Sequence, residues 1–270
     1  MNAGAQRVRL AFTRANEAGR AAFVAYVLAG FRDGEESLAV AKAALDGGAD
    51  LLEIGVPFSD PMADGPVIAE AGRTAVAAGA GLDTARMIVR GLREAGYQQP
   101  LLIMTYRNPL RVAGDDILDN LKQDGLDGLI LPDLPAGEEP LFEQEAATVG
   151  LALTFLVAPN TSPQRVEAVI ASSTGFMYIV PRYGVTGSAE QLAAGAVQVV
   201  QQMRERTAGR LPVAAGFGIS KPSHVAALRD AADGLIIGTV MVATVSASEA
   251  AETPAMVRDL IEDLVAATKR

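Results

Sequence analysis

Two carboxylates lie close together in the sequence, in a setting that suits acid–base chemistry. Glu53 stands inside the apolar run 51–55, and Asp64 follows in a loop, residues 56–66, that contains three prolines. Burial costs a carboxylate several kcal/mol unless it is paired or neutral, and burial raises its pKa toward the range useful for proton transfer. We therefore expect Glu53 and Asp64 to divide the work of acid and base. The alternatives are a hydrogen-bonded structural Glu53 and an Asp64 that caps the helix expected near Pro66.

Three glycine-containing segments late in the chain predict a second kind of chemistry, phosphate binding. They are residues 182–187 (RYGVTG), residues 216–220 (GFGIS) and the pair Gly238–Thr239. Glycine lets backbone N–H groups approach an anion, and a helix N-terminus adds partial positive charge. Three such segments in succession predict a phosphorylated small substrate.

Several other chemistries lack the residues they need. The chain has no Cys, and its sole His, His224, lies in the first turn of a helical pattern. Its four lysines, at positions 42, 122, 221 and 269, fall outside the apolar runs, which argues against a Schiff-base mechanism. Asp60 and Asp64 could bind a divalent cation, but no His cluster supports them, so we expect no metal. Tyr106 and Tyr178, at the ends of apolar runs, remain further candidates for proton transfer.

Short apolar runs that alternate with helical patterns must position these groups. The runs lack apolar–polar alternation, which indicates strands buried on both faces of a parallel sheet; they are residues 22–29, 51–55, 101–105, 128–131, 152–157, 175–180, 212–215 and 234–237. Helical spacing is clear in residues 37–45 and 191–203, Pro163 and Pro222 indicate helix starts, and an extra helix over residues 6–18 precedes the first strand.

Eight strand–helix units in 270 residues predict an α/β fold with a single (β/α)8 TIM barrel, one domain over residues 1–270, and an extra N-terminal helix. An open doubly wound sheet is the alternative, but no G-x-G-x-x-G follows the first strand. In a barrel the reacting groups belong at the C-terminal ends of the strands. Glu53, Asp64 and the glycine segments all fall there.

The composition excludes other classes of protein. Half of the residues are hydrophobic, 20% are charged and the net charge is −9, which argues against disorder, nucleic-acid binding and anionic membranes. The sequence contains no run of 18 or more predominantly apolar residues, so it predicts no membrane-spanning helix. Residues 21–31, preceded by arginines, could be taken for a signal peptide, but Glu17 lies upstream and a first strand is due there. We expect a soluble, cytoplasmic protein.

Residues 52–66 (LEIGVPFSDPMADGP) closely resemble the tryptophan synthase alpha subunit family, and the likeness extends over nearly the whole chain. It includes residues 104–109 (MTYRNP), 127–135 (DGLILPDLP), 184–187 and 216–220. The resemblance implies a (β/α)8 barrel that cleaves indole-3-glycerol phosphate into indole and glyceraldehyde 3-phosphate. It also implies no metal or organic cofactor in this chain, and a pyridoxal-phosphate beta subunit as partner in an alpha2beta2 heterotetramer.

Site residues follow from the same resemblance. Glu53 matches the family's catalytic acid–base glutamate, Asp64 its second catalytic carboxylate and Tyr178 a tyrosine near the substrate. The backbone positions that bind phosphate match Gly187, Gly218, Gly238 and Thr239. Residues implied to face the partner are Asp60, Pro61, Tyr106, Asn108, Pro132 and Asp133.

The chain departs from the family pattern in two loops. The usual T-A-G-D-P after the first strand is replaced by residues 28–32 (LAGFR), and the usual S-R of the lid by Pro181-Arg182, followed by a bulky Tyr183. These changes favour one alternative to an alpha subunit, a free-standing indole-releasing lyase. A second alternative, of a different class, is a weakly catalytic subunit that binds and switches its partner. Another phosphate-binding barrel is a remoter one.

Overall fold

The computed structural model describes residues 2–180, 189–216, 219 and 221–270, with backbone alone for residues 189–194. Eight parallel strands form a closed barrel in the order β1 to β8, because β8 pairs back onto β1. The strands are β1 Ala22–Leu28, β2 Leu51–Gly55, β3 Leu101–Met104, β4 Gly128–Ile130, β5 Ala152–Val157, β6 Met177–Ile179, β7 Val213–Gly216 and β8 Gly234–Ile237. Each predicted apolar run coincides with one of them to within two residues, although β7 extends one residue beyond its run, to Gly216. The predicted fold class is confirmed.

The helices are more numerous than one per strand. They are α1 Ala3–Glu17, α2 Gly34–Asp46, α3 Pro66–Ala77, α4 Leu82–Glu94, α5 Arg107–Val112, α6 Ile117–Gln123, α7 Pro140–Val149, α8 Pro163–Ser172, α9 Ala189–Thr207, α10 Pro222–Leu228, α11 Thr239–Ala247 and α12 Thr253–Ala266. Two helices follow β2, β3 and β8. Gly79 and Gly114 have φ values of 85° and 95°, and such left-handed backbone interrupts the first two of these helical stretches.

Inward-facing residues and α1 fill the N-terminal end of the barrel. Phe12 of α1 packs against Phe176 with ring centroids 5.3 Å apart. The same buried cluster holds one or more residues from most strands, among them Val24, Leu51, Leu102, Ile130, Ala152, Ala214 and Ile236. Arg7 of α1 also forms an ion pair with the buried Asp127, at 3.0 Å. The N-terminal end of the barrel interior is therefore filled, and the inward-facing residues at the C-terminal ends of the strands remain to line a site.

No helix in the described part of the chain is long and apolar enough to cross a membrane.

Candidate active site

The barrel mouth contains a cavity that is lined by the inward-facing residues at the C-terminal ends of the strands. Side chains alternate along a strand, so Tyr26 stands two positions beyond Val24, Glu53 two beyond Leu51 and Tyr178 two beyond Phe176. These residues, with Asp64 from the loop after β2, line a cavity of about 460 Å³. That volume lies within the range of sites that bind small molecules.

Glu53 is the central polar group of this cavity. Its side chain is fully buried, and neither carboxyl oxygen has a hydrogen-bond partner among the described residues. Burial, and secondarily the charge of Asp64, raise the pKa of Glu53 to about 8. The hydrogen-bonded structural role considered for Glu53 is absent from the described part of the molecule. At neutral pH the group is mostly a neutral acid, able to give a proton away and take it back.

Asp64 brings the second carboxylate to the same cavity from the loop between β2 and α3. Burial raises the pKa of Asp64 above its ordinary value. The helix after it begins at Pro66 with Gly65 as its N-cap and no side-chain cap, so Asp64 does not cap it. The carboxyl of Asp64 is therefore available to a ligand, in an environment different from that of Glu53. Two carboxyl groups with different environments can hold different protonation states at one pH.

Two tyrosines, Tyr26 and Tyr178, form part of the cavity wall, and each lies against a glycine of a neighbouring strand. A Cβ on Gly55 would lie 2.1 Å from the Tyr26 hydroxyl, and a Cβ on Gly216 would lie 2.9 Å from that of Tyr178. Only glycine leaves room for these phenols. Tyr26, which the strand register places beside Glu53, is a lining residue that the sequence analysis missed. Its position follows only once the structure shows that Val24, two residues earlier, faces into the barrel.

Gly238 and Thr239 also line the cavity, where β8 ends, and Gly238 lies against the Tyr26 ring. Gly238 is the N-cap of α11, and Thr239 is its first residue. The first backbone N–H groups of a helix have no intrahelical acceptor and carry partial positive charge. The described residues that line the cavity include no Lys or Arg, so an anion bound there would depend on backbone groups. Gly187 and Gly218, the other two predicted phosphate positions, lie outside the described residues, as do Pro181 and Tyr183.

The six predicted partner-facing residues lie around the loops after β2, β3 and β4. Asp60 and Asn108 are exposed, whereas Pro61, Pro132 and Asp133 are partly exposed. Tyr106 differs from them, because it is only 4% exposed and its hydroxyl lies against the loop that carries Asp64. A role at a partner interface stays a prediction for all six.

No cluster of three or more His, Cys, Asp or Glu side chains suitable for a metal ion occurs in the part of the chain that the structure describes. Asp60 and Asp64, the pair considered above, are therefore not joined there by a third ligand of this kind.

A comparison with protein families identifies the chain. The sequence model of the family described as tryptophan synthase alpha chain matches residues 12–268. The chain belongs to this family. Among curated alpha chains, that of Halorhodospira halophila is 42% identical over 94% of this chain and 93% of its own length. The alpha chain of Deinococcus radiodurans is 40% identical over 91% and 90% of the two lengths.

Solved structures agree with this membership of the tryptophan synthase alpha chain family. A chain of tryptophan synthase from Mycobacterium tuberculosis superposes with a TM-score of 0.87, at 31% identity and with 98% of both chains covered. The tryptophan synthase alpha chain of Legionella pneumophila also gives 0.87, at 27% identity, over 99% of this chain and 97% of that one. Alpha chains of this family cleave indole-3-glycerol phosphate, a lyase reaction of tryptophan biosynthesis, so the predicted family and enzyme class are confirmed.

Proposed function

We propose that Glu53 is the general acid and base of indole-3-glycerol phosphate cleavage in this chain, and that Asp64 assists at the indole N–H. The observation that carries this proposal is the fully buried carboxyl of Glu53 in the wall of the cavity, with no hydrogen-bond partner in the described part of the chain. A group that is neutral near pH 7 and has no protein partner among the described residues is suited to exchange a proton with a bound substrate.

Retro-aldol cleavage needs two proton movements, and one carboxyl group can make both. Protonated Glu53 gives its proton to C3 of the indole, which leaves a cationic ring. The Glu53 carboxylate then takes the proton of the hydroxyl on the adjoining side-chain carbon. As that O–H bond breaks, the carbonyl of glyceraldehyde 3-phosphate forms and the carbon–carbon bond electrons return to the ring. Indole leaves, and Glu53 is protonated again.

Asp64 acts on the charge that appears between these steps. Its carboxylate accepts a hydrogen bond from the indole N–H, and this bond strengthens as the ring becomes positive. Such a contact, stronger in the transition state than in the ground state, accelerates the reaction rather than merely binding the substrate. The shared cavity of Glu53 and Asp64 supports this division. Tyr178, in the same wall, is proposed to contact the substrate.

The phosphate of the substrate is proposed to bind at Gly238 and Thr239, with Gly187 and Gly218 completing the set. Replacing Thr239 by Asp should raise KM for indole-3-glycerol phosphate at least tenfold relative to Asn at the same position. Two like charges ~5 Å apart repel by a few kcal/mol at an effective dielectric constant of about 20. An Asp in the first turn favours the helix, so the loss would not come from unfolding. Asn has nearly the same shape without the charge, and equal KM values for the two variants would place the phosphate elsewhere.

The partner and cofactor of the reaction are proposed from the family. We propose that the chain holds no cofactor and works with a beta subunit, which carries pyridoxal phosphate, in an alpha2beta2 assembly. The exposed Asp60 and Asn108, beside the barrel mouth, support a docking face there. We further propose that residues 1–270 act as one domain, since the strands close into one barrel. Because phosphorylated compounds do not cross membranes unaided, the proposed substrate favours a cytoplasmic location for the enzyme.

Release of indole from indole-3-glycerol phosphate, measured with and without a beta subunit, tests the proposed function. We expect a measurable rate alone and a clear increase when the partner is added. A high rate that the partner leaves unchanged would instead support a free-standing lyase. Turnover in neither case would leave only a partner-switching role and would contradict the proposal.

A further inference from the structure

Tyr106 makes two contacts with the loop that carries Asp64. Its ring stacks on Phe58, with centroids 5.0 Å apart and an interplanar angle of 29°. Its hydroxyl oxygen accepts a hydrogen bond from the backbone N–H of Ala63, at 3.1 Å. The first contact holds the start of the loop, and the second holds the residue directly before Asp64. The loop is thus fixed at two points by one side chain from the neighbouring strand's end.

The backbone at Tyr106 is held in place through the next residue, Arg107. The backbone N–H of Arg107 donates to both carboxylate oxygens of Asp133, at 2.9 and 3.0 Å. The Arg107 guanidinium donates to Glu139 at 3.0 Å and lies 4.0 Å from the ring centre of Phe142. These contacts join the loops after β3 and β4. Because Arg107 is the next residue in the chain, these contacts also hold the backbone of Tyr106. The Tyr106 side chain can therefore determine the position of the loop that it contacts.

The hydroxyl contact persists over the whole working range of pH. Burial raises the pKa of Tyr106 to about 12, so the phenol stays neutral wherever the enzyme is assayed. The bond from Ala63 therefore does not switch with pH. Any pH dependence of the reaction arises elsewhere.

We propose that Tyr106 is a positioning residue for Asp64: its hydroxyl fixes the Ala63 backbone and so sets where the Asp64 carboxylate meets the substrate. This inference rests on the proposed function of Asp64. Tyr106 is not among the described residues that line the cavity, so it acts through the loop that it contacts. Its effect must therefore depend on the presence of a carboxylate at position 64.

A double-mutant cycle between Tyr106→Phe and Asp64→Asn tests this dependence. Phe keeps the ring against Phe58 but cannot accept the Ala63 hydrogen bond. We expect Tyr106→Phe to lower kcat for indole release about tenfold in the wild-type background and less than twofold in the Asp64→Asn background. Tyr97→Phe is the matched control, because the Tyr97 hydroxyl donates to Asp46 at 2.8 Å outside the cavity. That variant should keep wild-type kcat.

The outcomes separate the two proposals. An Asp64→Asn variant with wild-type turnover would overturn both the role of Asp64 and its positioning by Tyr106. An impaired Asp64→Asn variant with an equal proportional loss from Tyr106→Phe in both backgrounds would overturn the positioning role alone. Hydrogen exchange of the Ala63 amide gives an independent readout, even if Asp64→Asn is too slow to assay. It should speed up at least tenfold in Tyr106→Phe and not in Tyr97→Phe, and an unchanged rate would contradict the inference.

Discussion

Replacement of Glu53 by Gln is expected to lower kcat for indole-3-glycerol phosphate cleavage by about 1,000-fold, measured as the release of indole. Gln keeps the shape of the side chain in the cavity wall, but its amide cannot act as a general acid or base. General acid–base catalysis typically contributes between about 100-fold and 10,000-fold to a rate, and Glu53 is proposed to serve in two proton transfers. KM should change little, because the phosphate contacts proposed at Gly238 and Thr239 remain.

The same residue predicts how the wild-type rate depends on pH. Glu53 must start the reaction protonated, and its pKa is about 8. The value of kcat/KM should therefore fall tenfold per pH unit well above pH 8. On the acid side the rate should fall as Asp64 takes up a proton, at a pH above the ordinary range of Asp because burial raises its pKa.

Glu53→Asp is the control for Glu53→Gln. It retains a carboxyl group, so its kcat should be less impaired than that of Glu53→Gln.

The carboxyl group of Glu53 should also destabilise the folded protein, by an amount that increases with pH. The pKa of Glu53 is about 8 in the folded chain, against an ordinary value of 4.5 for a glutamate in the unfolded chain. Between these values the folded state holds a proton that the unfolded state has lost. The free energy of unfolding therefore declines as pH rises from 4.5 to 8, by up to roughly 5 kcal/mol. Gln at this position does not ionise, so Glu53→Gln should gain stability over the wild type as pH rises.

Urea denaturation of the wild type and Glu53→Gln at pH 5 and pH 8 measures this gain. The pH-dependent part of the difference is the relevant quantity, because the buried amide brings its own constant cost. Glu262→Gln, on the exposed face of α12, is the matched control and should show little change with pH. Stability differences for Glu53→Gln that are equal at both pH values would mean that Glu53 ionises normally in the folded protein.

The strands and the position of Glu53 could be predicted from the sequence because their signals are local. Each apolar run is short and lacks alternation, and Glu53 is the one charged residue in the run that forms β2. Once the strands are placed, the parallel barrel brings their C-terminal ends together and Asp64 must follow close by. Gly238 and Thr239 were located in the same way, at the end of β8.

The contacts between loops could not be predicted, because they depend on residues distant in the sequence. In the sequence, Tyr106 is a polar residue at the end of a predicted strand. The residues next to it do not indicate a hydrogen bond with Ala63, 43 positions earlier. Tyr26 was overlooked for a different reason. In an apolar run without alternation, the sequence does not show which alternate residues face the barrel interior. Only the closed barrel shows this. The glycine at position 55 likewise has a clear purpose only beside the Tyr26 hydroxyl.

One of the replaced residues, Arg32, has a structural explanation that the sequence did not suggest. Arg32 lies at a φ of 66°, in the left-handed region, and its guanidinium forms an ion pair with Glu36. It also donates to the backbone carbonyls of Val245 and Ser248, at the C-terminal end of α11. A cation is favourable there, because a helix C-terminus carries partial negative charge. The altered loop thus holds the helix whose other end is the proposed phosphate site.

The proton shuttle of Glu53 is tested most directly by kcat of Glu53→Gln beside the pH profile of the wild type, in one indole-release assay. The proposed roles predict a loss of about 1,000-fold at pH 7 and a wild-type kcat/KM that falls through a midpoint near pH 8. A folded Glu53→Gln chain that turns over at the wild-type rate would contradict them.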